Sequence, residues 1–257
     1  MSQDTILATE NLTKEFAGFV AVNGVNLAVK RGTIHALIGP NGAGKTTCFN
    51  LLTKFLAPTR GSITFDGADI TGEHPAEVAR RGVIRSFQIS AVFPHLSVLE
   101  NVRIGLQRFT GISFHFWRSL RGLQALDARA LELLEMVDLR PMAALPAAEL
   151  PYGRKRALEI ATTMAMEPRL MLLDEPTQGM GHEDVERVTA LIKRVSAGRT
   201  ILMVEHNMSV VARIADTITV LARGATLAEG PYAEVSKNPA VIEAYMGTAD
   251  AELAGSH

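Results

Sequence analysis

The sequence predicts an α/β fold in which a core with a parallel β-sheet is split by a helical insertion. Short apolar runs at residues 34–38, 170–173 and 201–204 are typical of strands that are buried on both faces. A glycine-rich turn follows the first run and leads into a segment with helical character. A long stretch with apolar residues at helical spacing separates the first run from the other two, and this stretch predicts the insertion.

The remaining strands are predicted from strand-like composition between turn residues, in chain order at residues 5–12, 20–29, 61–67, 218–221 and 226–229. Helical patterns begin near Lys45 and cover most of residues 99–166, with a clear helix at 128–137 and a break at 138–146. Residues 183–195 also have a helical pattern.

Because residues 183–195 stand between two apolar strands, their strand–helix–strand order favours a parallel sheet. The last residues, 249–257, are expected to form a frayed tail.

Composition excludes several classes of protein. Of the 257 residues, 47% are hydrophobic and 21% are charged, a balance that excludes wholesale disorder. The formal net charge is −1, so we do not expect general nucleic-acid binding. The single cysteine, Cys48, excludes an internal disulfide and a cysteine-based zinc site. Residues 1–10 do not resemble a secretion signal, and no run approaches the ~18 apolar residues of a membrane span.

The glycine-rich turn matches the pattern of a phosphate-binding loop. Residues Gly39-Pro40-Asn41-Gly42-Ala43-Gly44-Lys45-Thr46 fit G-x-x-x-x-G-K-[ST], after an apolar strand and at the start of a helix. Glycines let backbone N–H groups converge on phosphate oxygens, and the helix N-terminus adds its positive dipole end. We therefore expect Lys45 to reach the β- and γ-phosphates of ATP, Thr46 to ligate Mg²⁺, and Thr47 to contact the nucleotide. The alternative is a glycine-rich turn that binds nothing.

A second predicted site lies where the apolar run at 170–173 ends in Asp174 and Glu175. Asp174, at the strand end, is expected to hold the Mg²⁺. Side chains alternate along a strand, so we expect Glu175 to point the other way and to act as general base on an attacking water. The alternative is a pair of solvated acids, and the phosphate loop upstream favours the catalytic interpretation.

Further segments resemble the ATP-binding subunits of ABC transporters, and the resemblance extends over nearly the whole chain. These segments are Ser86-Phe87-Gln88, 150–156 and Val204-Glu205-His206. The resemblance implies a P-loop NTPase core with a parallel sheet, an antiparallel β-region and a helical subdomain. It implies one ATPase domain at 1–248, with its core at about 1–88 and 168–235 and the helical subdomain at about 89–167.

The resemblance also implies roles for individual residues. Phe16 would stack on adenine, because an aromatic face holds a base with little sequence demand. Gln88 would bond the Mg²⁺ shell and the attacking water, and His206 would stabilise charge at the γ-phosphate. Taken singly, Phe16 also fits a core position, Gln88 a surface amide and His206 a strand-end histidine.

The resemblance places a signature segment at residues 150–154, where Tyr152 and Gly153 would contact nucleotide across a dimer, and a D-loop at 177–181. Pro151 stands where the family has a serine whose hydroxyl contacts the γ-phosphate, and proline offers neither a hydroxyl nor an N–H.

Arg154 stands where glutamine is usual, and Gly181 replaces the usual aspartate or asparagine. We expect these departures to weaken the site formed by this chain's signature. We expect them to leave unaffected this chain's own Lys45, Asp174, Glu175 and His206.

Three segments narrow the resemblance to importers of branched-chain amino acids, residues 93–102, the insert 107–129 and the ending 238–247. In that group two different ATPase subunits pair, and this chain looks like the larger one. Importers of urea, amides and aromatic acids belong to the same subfamily and remain alternatives. Within the insert, the aromatic residues 114–118 fit either packing in the helical subdomain or contact with the membrane or membrane subunits.

The resemblance implies a set of partners. They are a second ATPase subunit in a homo- or heterodimer, transmembrane permease subunits, and indirectly a periplasmic substrate-binding protein, at the cytoplasmic face of the inner membrane. Two other classes compete with this hypothesis. One is a soluble ABC protein acting on ribosomes or DNA, which the single phosphate loop, the absence of a heptad run and the charge of −1 disfavour. The other is a non-hydrolysing regulatory subunit, an alternative that Pro151 and Gly181 leave open.

Overall fold

The computed structural model describes residues 4–86, 92–107 and 126–254, with side chains up to residue 246. These residues contain ten strands. In chain order they are β1 (Thr5–Phe16), β2 (Phe19–Lys30), β3 (Ile34–Ile38), β4 (Arg60–Phe65), β5 (Ala68–Asp69), β6 (Val83–Ser86), β7 (Leu170–Asp174), β8 (Thr200–Val204), β9 (Thr217–Ala222) and β10 (Ala225–Gly230). They form a four-stranded sheet of order β2-β1-β4-β5 and a six-stranded sheet of order β10-β9-β3-β8-β7-β6.

The six-stranded sheet is parallel from β9 through β3, β8 and β7 to β6, and only β10 pairs antiparallel at its edge. The four-stranded sheet is antiparallel throughout. Both sheets agree with the α/β prediction of a parallel core and an additional antiparallel region.

The helices are α1 (Lys45–Leu52), α2 (Pro75–Arg81), α3 (Val98–Gln107), α4 (Asp127–Met136), α5 (Tyr152–Ala165), α6 (His182–Val195), α7 (Met208–Ile214), α8 (Tyr232–Val235) and α9 (Pro239–Ala254), with single 3-10 turns at Arg140–Met142 and Ala147–Glu149. Helices α3, α4 and α5 pack against one another and form the helical layer. In the described ranges, none of the helices has both the length and the apolar character needed to cross a membrane.

Strands β3, β7 and β8 are buried along their whole length, because their alternate side chains enter two different cores. Ile201 and Met203 of β8 belong to the core shared with the helical layer, while Leu202 and Val204 belong to the core shared with α1 and the antiparallel sheet. This alternation explains why these strands have continuous apolar sequences. Cys48 lies fully buried in the second core, where burial raises its pKa to about 12.

The predicted elements differ from the structure mainly at their ends. Strands β1 and β2 are longer than predicted because hairpin pairing continues to a tight turn at Ala17 and Gly18, both with positive φ. The chain is helical through Ala254, whereas a frayed tail was expected from residue 249. Residues 248–254 contain alanine, glutamate and leucine and neither glycine nor proline, so helical propensity favours continuation. The central residues of the insert, 108–125, lie outside the described part of the chain.

Candidate active site

The phosphate loop lies between the carboxyl end of β3 and the start of α1. Gly44 has φ 96, and a Cβ atom placed on it would lie 2.5 Å from the carbonyl oxygen of Ala21 in β2. On its other side the loop is held by the β9–β10 turn, where the Gly224 N–H donates to the Ala43 carbonyl at 3.1 Å. Only glycine fits at position 44, and its close approach to β2 fixes the shape of the loop.

Lys45 is buried, and its ammonium lies inside the curve of the loop. Its Nζ atom donates to the carbonyl oxygens of Gly39 at 2.6 Å and Pro40 at 3.0 Å. Burial lowers the pKa of Lys45, while the carboxylates of Glu175 and Asp174 raise it. The structure therefore brings the lysine and both predicted acidic residues into one electrostatic environment.

Asp174 ends β7 and is held by an arginine that the sequence analysis did not identify. Arg85 of β6 forms an ion pair with Asp174 through Nη2 and Oδ2, and its Nη1 donates to Asn50 Oδ1 of α1 at 2.6 Å. The Arg85 guanidinium also lies over the ring of Phe49, with its Cζ atom 5.8 Å from the ring centroid. The position of the Asp174 carboxylate is thus fixed relative to the helix that follows the phosphate loop.

Glu175 follows Asp174 in a left-handed backbone conformation, with φ 45. Its N–H donates to the Val204 carbonyl of β8 at 3.0 Å. Its carbonyl accepts from the Gln178 N–H at 3.1 Å and from Arg156 Nη2 at 3.2 Å. The side chain is half-buried, so it is accessible to solvent at the carboxyl edge of the sheet.

His206 lies beyond β8 at the same edge, with its side chain 53% exposed. Its backbone N–H donates to Glu205 Oε2 at 3.0 Å. Glu205 is fully buried and also accepts from the Thr177 hydroxyl, in the loop after Glu175. From the sequence, no role was predicted for Glu205. The signal that could have identified it is an acidic residue directly after a fully apolar strand.

Within the phosphate loop and the first residues of α1, the exposed positions are Asn41, Gly42 and Thr46, and Thr47 is half-buried. Phe16 is 42% exposed at the β1–β2 turn, and Lys14 Nζ lies 5.1 Å from its ring centroid. This exposure excludes a core role for Phe16. Gln88, two residues beyond the end of β6, lies outside the described residues.

The signature segment begins α5. Pro151 immediately precedes the helix with φ −56 and ψ 157, and no side chain caps the first turn. Gly153 packs so tightly on α6 that a Cβ atom would lie 2.6 Å from Asp184 Oδ1. Tyr152 donates its hydroxyl to the Gln178 carbonyl at 3.1 Å, and Arg154 donates to the Asp138 carbonyl at 2.9 Å.

Two family models match the chain. The model described as "ABC transporter" matches residues 22–178, and the model described as "Branched-chain amino acid ATP-binding cassette transporter" matches residues 225–251. The second range includes the β10 strand and most of α9.

Curated relatives match along almost the entire chain. The high-affinity branched-chain amino acid transport ATP-binding protein BraF of Pseudomonas aeruginosa is 41% identical over 254 residues, covering 95% of this chain and 98% of BraF. The corresponding LivG protein of Escherichia coli K12 is 39% identical over 261 residues, covering 97% of this chain and all of LivG (100%).

Solved structures show the same fold. The ADP conformation of MJ1267, an ATP-binding cassette of an ABC transporter, superposes with a TM-score of 0.84 at 30% identity, covering 95% of this chain and 99% of that one. A dimeric post-hydrolysis state of the ATP-binding cassette MJ0796, bound to ADP and Pi, gives a TM-score of 0.73 at 26% identity and covers 88% and 99% of the two chains.

We predict that Gly44→Ala displaces the phosphate loop and reduces nucleotide affinity at least tenfold, because the new Cβ would clash with the Ala21 carbonyl. The matched control is Gly67→Ala in the β4–β5 turn, which has a similar φ of 80 but open space around its Cβ. Both variants incur the cost of a positive φ, so both should lower the thermal unfolding midpoint. Calorimetric titration with ATP should show a loss only for Gly44→Ala, and equal affinities would contradict the steric argument.

Proposed function

We propose that this chain, which belongs to the ABC transporter family as an ATP-binding cassette ATPase, is the energy-coupling subunit of an importer of branched-chain amino acids. The observation that carries this proposal is the meeting of Lys45, Asp174 and Glu175 at the carboxyl edge of one parallel sheet. The branched-chain amino acid relatives, matched over nearly their full lengths, support the substrate class. Import of urea, amides or aromatic acids is the alternative within the same subfamily.

ATP binding in this proposal replaces contacts that the loop makes with itself. The Lys45 ammonium exchanges the Gly39 and Pro40 carbonyls for β- and γ-phosphate oxygens, which are stronger, charged partners. The N–H groups at the start of α1 add their partial positive charge to the same phosphates. Phe16, exposed at its turn, offers a ring face for adenine.

The residues around the loop also fit a magnesium ion. Mg²⁺ prefers oxygen ligands and is usually held by one or two protein groups together with phosphate oxygens. The Thr46 hydroxyl and the Asp174 carboxylate are such donors, and Arg85 holds Asp174 by one oxygen, Oδ2. Among the described residues there is no group of three or more His, Cys, Asp or Glu that could hold a metal ion, which fits shared ligation with ATP. When bound between the Thr46 hydroxyl and the Asp174 carboxylate, Mg²⁺ would neutralise negative charge on the phosphate groups.

Hydrolysis in this proposal depends on Glu175 and His206. Glu175 accepts a proton from the water that attacks the γ-phosphate, while the bond from the γ-phosphorus to the β–γ bridging oxygen breaks and ADP leaves. His206 stabilises the charge that develops at the γ-phosphate. Gln88 is proposed to orient the same water and the Mg²⁺ shell. The backbone bonds of Glu175 to β8 and of His206 to Glu205 fix where both side chains begin.

The proposed assembly is a head-to-tail dimer on a membrane permease. The dimeric MJ0796 cassettes and the transporter relatives support a second ATPase subunit. Permease subunits, an indirect periplasmic binding protein and a peripheral position at the cytoplasmic face of the membrane follow from the same proposal. Co-purification of two multi-span proteins and a second ATPase with this chain is expected.

We predict that Glu175→Gln keeps ATP affinity and stops most hydrolysis, because the amide retains size and hydrogen bonding but cannot accept the proton. The variant should accumulate as an ATP-bound dimer, visible by size-exclusion chromatography with light scattering. The control is Glu132→Gln, an exposed carboxylate on α4 away from the site. Unchanged single-turnover hydrolysis by Glu175→Gln would show that Glu175 is not the base.

We predict that Phe16→Ala weakens ATP binding by about 1–3 kcal/mol, the range for stacking of a base on an aromatic ring. Affinity for inorganic tripolyphosphate should not change, because the phosphate loop is intact. The matched control is Phe19→Ala, since Phe19 pairs with Phe16 across the turn and is 68% exposed. An equal loss of ATP affinity in both variants would contradict adenine stacking by Phe16.

We predict that the purified chain alone hydrolyses ATP slowly, because Pro151 in each signature supplies no hydroxyl to the γ-phosphate across the dimer. Loss of one such donor costs about 10²–10³ in rate at oxyanion-type sites, which sets the scale of the effect. Pro151→Ser should recover part of this rate, and adding a second ATPase subunit with a serine-containing signature should raise the wild-type rate.

Pro151→Ala is the control for that experiment, because alanine restores the N–H without the hydroxyl. Steady-state ATPase assays of the three proteins separate the two groups. A wild-type chain as fast as Pro151→Ser would show that the backbone of Tyr152 and Gly153 suffices. That result would contradict the expected difference between the site formed by this chain's signature and the site at its own phosphate loop.

A further inference from the structure

Arg156 and Glu159 form a buried ion pair on α5 that none of the predicted roles uses. Their side chains are only 5% and 2% exposed, and Arg156 Nη1 donates to Glu159 Oε2 at 2.6 Å. The second terminal nitrogen of Arg156, Nη2, donates to a group outside the helix, the Glu175 carbonyl, at 3.2 Å. The guanidinium therefore joins α5 to the backbone of the residue proposed as general base.

This ion pair is poorly built for stability. Within the described part of the chain, Arg156 Nε and Glu159 Oε1 have no hydrogen-bond partner. The pKa of Glu159 is raised to about 7, because the effect of burial exceeds the opposite effect of the neighbouring Arg156. The rise reflects the free-energy cost of desolvating the carboxylate. A buried pair with unsatisfied atoms contributes little net stability, because desolvation offsets the attraction between the charges.

The carbonyl that Arg156 holds belongs to a residue that needs support. Glu175 is not glycine, yet its φ is 45, in the left-handed region that side chains adopt at a cost in free energy. Its N–H is fixed by Val204 of β8, and its carbonyl accepts from Gln178 and Arg156. The bond from Arg156 is the only one of these three that comes from a side chain.

We propose that Arg156 is a positioning residue for hydrolysis: it holds the Glu175 backbone in the left-handed conformation that aims the carboxylate at the attacking water, and Glu159 holds Arg156. This proposal rests on the proposed role of Glu175 as base. Arg156 itself touches neither nucleotide nor water in this role, and it acts through the direction of the Glu175 side chain. Small displacements of a catalytic group cost up to about 10²-fold in rate.

The test removes the whole pair at once, because loss of one partner would leave a buried unpaired charge. The variant is Arg156→Met with Glu159→Met in the full chain, and Arg103→Met with Asp127→Met is the control, since that pair joins α3 to α4. We expect the first variant to keep its thermal midpoint and its calorimetric ATP affinity, while its single-turnover hydrolysis rate falls roughly 10- to 100-fold. The control variant should hydrolyse at the wild-type rate.

A double-mutant cycle with Glu175→Gln separates positioning from a structural effect. If Arg156 acts through Glu175, adding the two methionines to Glu175→Gln does not lower the residual rate further. An equal fall in both backgrounds, or a wild-type rate for the methionine pair, overturns the proposal. Arg156→Lys keeps the charge and one donor; it should retain an intermediate rate, and it carries the test if the methionine pair does not fold.

The two failures are distinguishable. Wild-type hydrolysis by Glu175→Gln would overturn the proposed role of Glu175 as base, and with it the role of Arg156. Wild-type hydrolysis by the methionine pair, with Glu175→Gln inactive, would overturn only the role of Arg156.

Discussion

The parallel pairing of β3, β8 and β7 is the constraint on which the site depends. Leu37 lies opposite Val204, and Val204 lies opposite Asp174, so the three strands end at one edge of the sheet. The register is specified because alternate side chains of each strand enter different cores, and a slip by one residue would exchange them. The chain segments that follow these strands are therefore held together by backbone pairing. The side chains proposed for catalysis lie directly beyond these strand ends.

Among the described residues, three buried ionisable side chains lie at this edge, and each is held in place by neighbouring groups. Lys45 is held by loop carbonyls, Asp174 by Arg85, and Glu205 by the Thr177 hydroxyl and a backbone N–H. Such contacts add little net stability, because the loss of hydration offsets the attraction. Their value is in orientation, since a desolvated charge with a fixed partner has few alternative positions. The loop from Glu175 to Gln178 is held by contacts from α5 on one side and from Glu205 on the other.

The sequence predicted those parts of the site that local pattern determines. Apolar runs located the central strands, and the glycine spacing located the loop around Lys45, because both depend on short-range chemistry. The roles of Arg85 and Arg156 were not predicted. Arg85 contacts Asp174, 89 residues away along the chain, and Arg156 contacts the Glu175 carbonyl, 19 residues away. On a sequence they are ordinary cations of a strand and a helix. The helical end of α9 was not predicted for a different reason: chain termini usually fray, and helix propensity alone is a weak signal against that tendency.

The departures at Pro151 and Gly181 concern one surface. Each residue directly precedes a helix, α5 or α6, and neither provides a side-chain cap for the first turn. The two helix starts are in contact, because Gly153 packs directly against Asp184. Lys45 and Glu175 are not among the residues of this surface. In the proposed head-to-tail dimer, this division would let the chain use its own phosphate loop while a second subunit supplies the opposing signature.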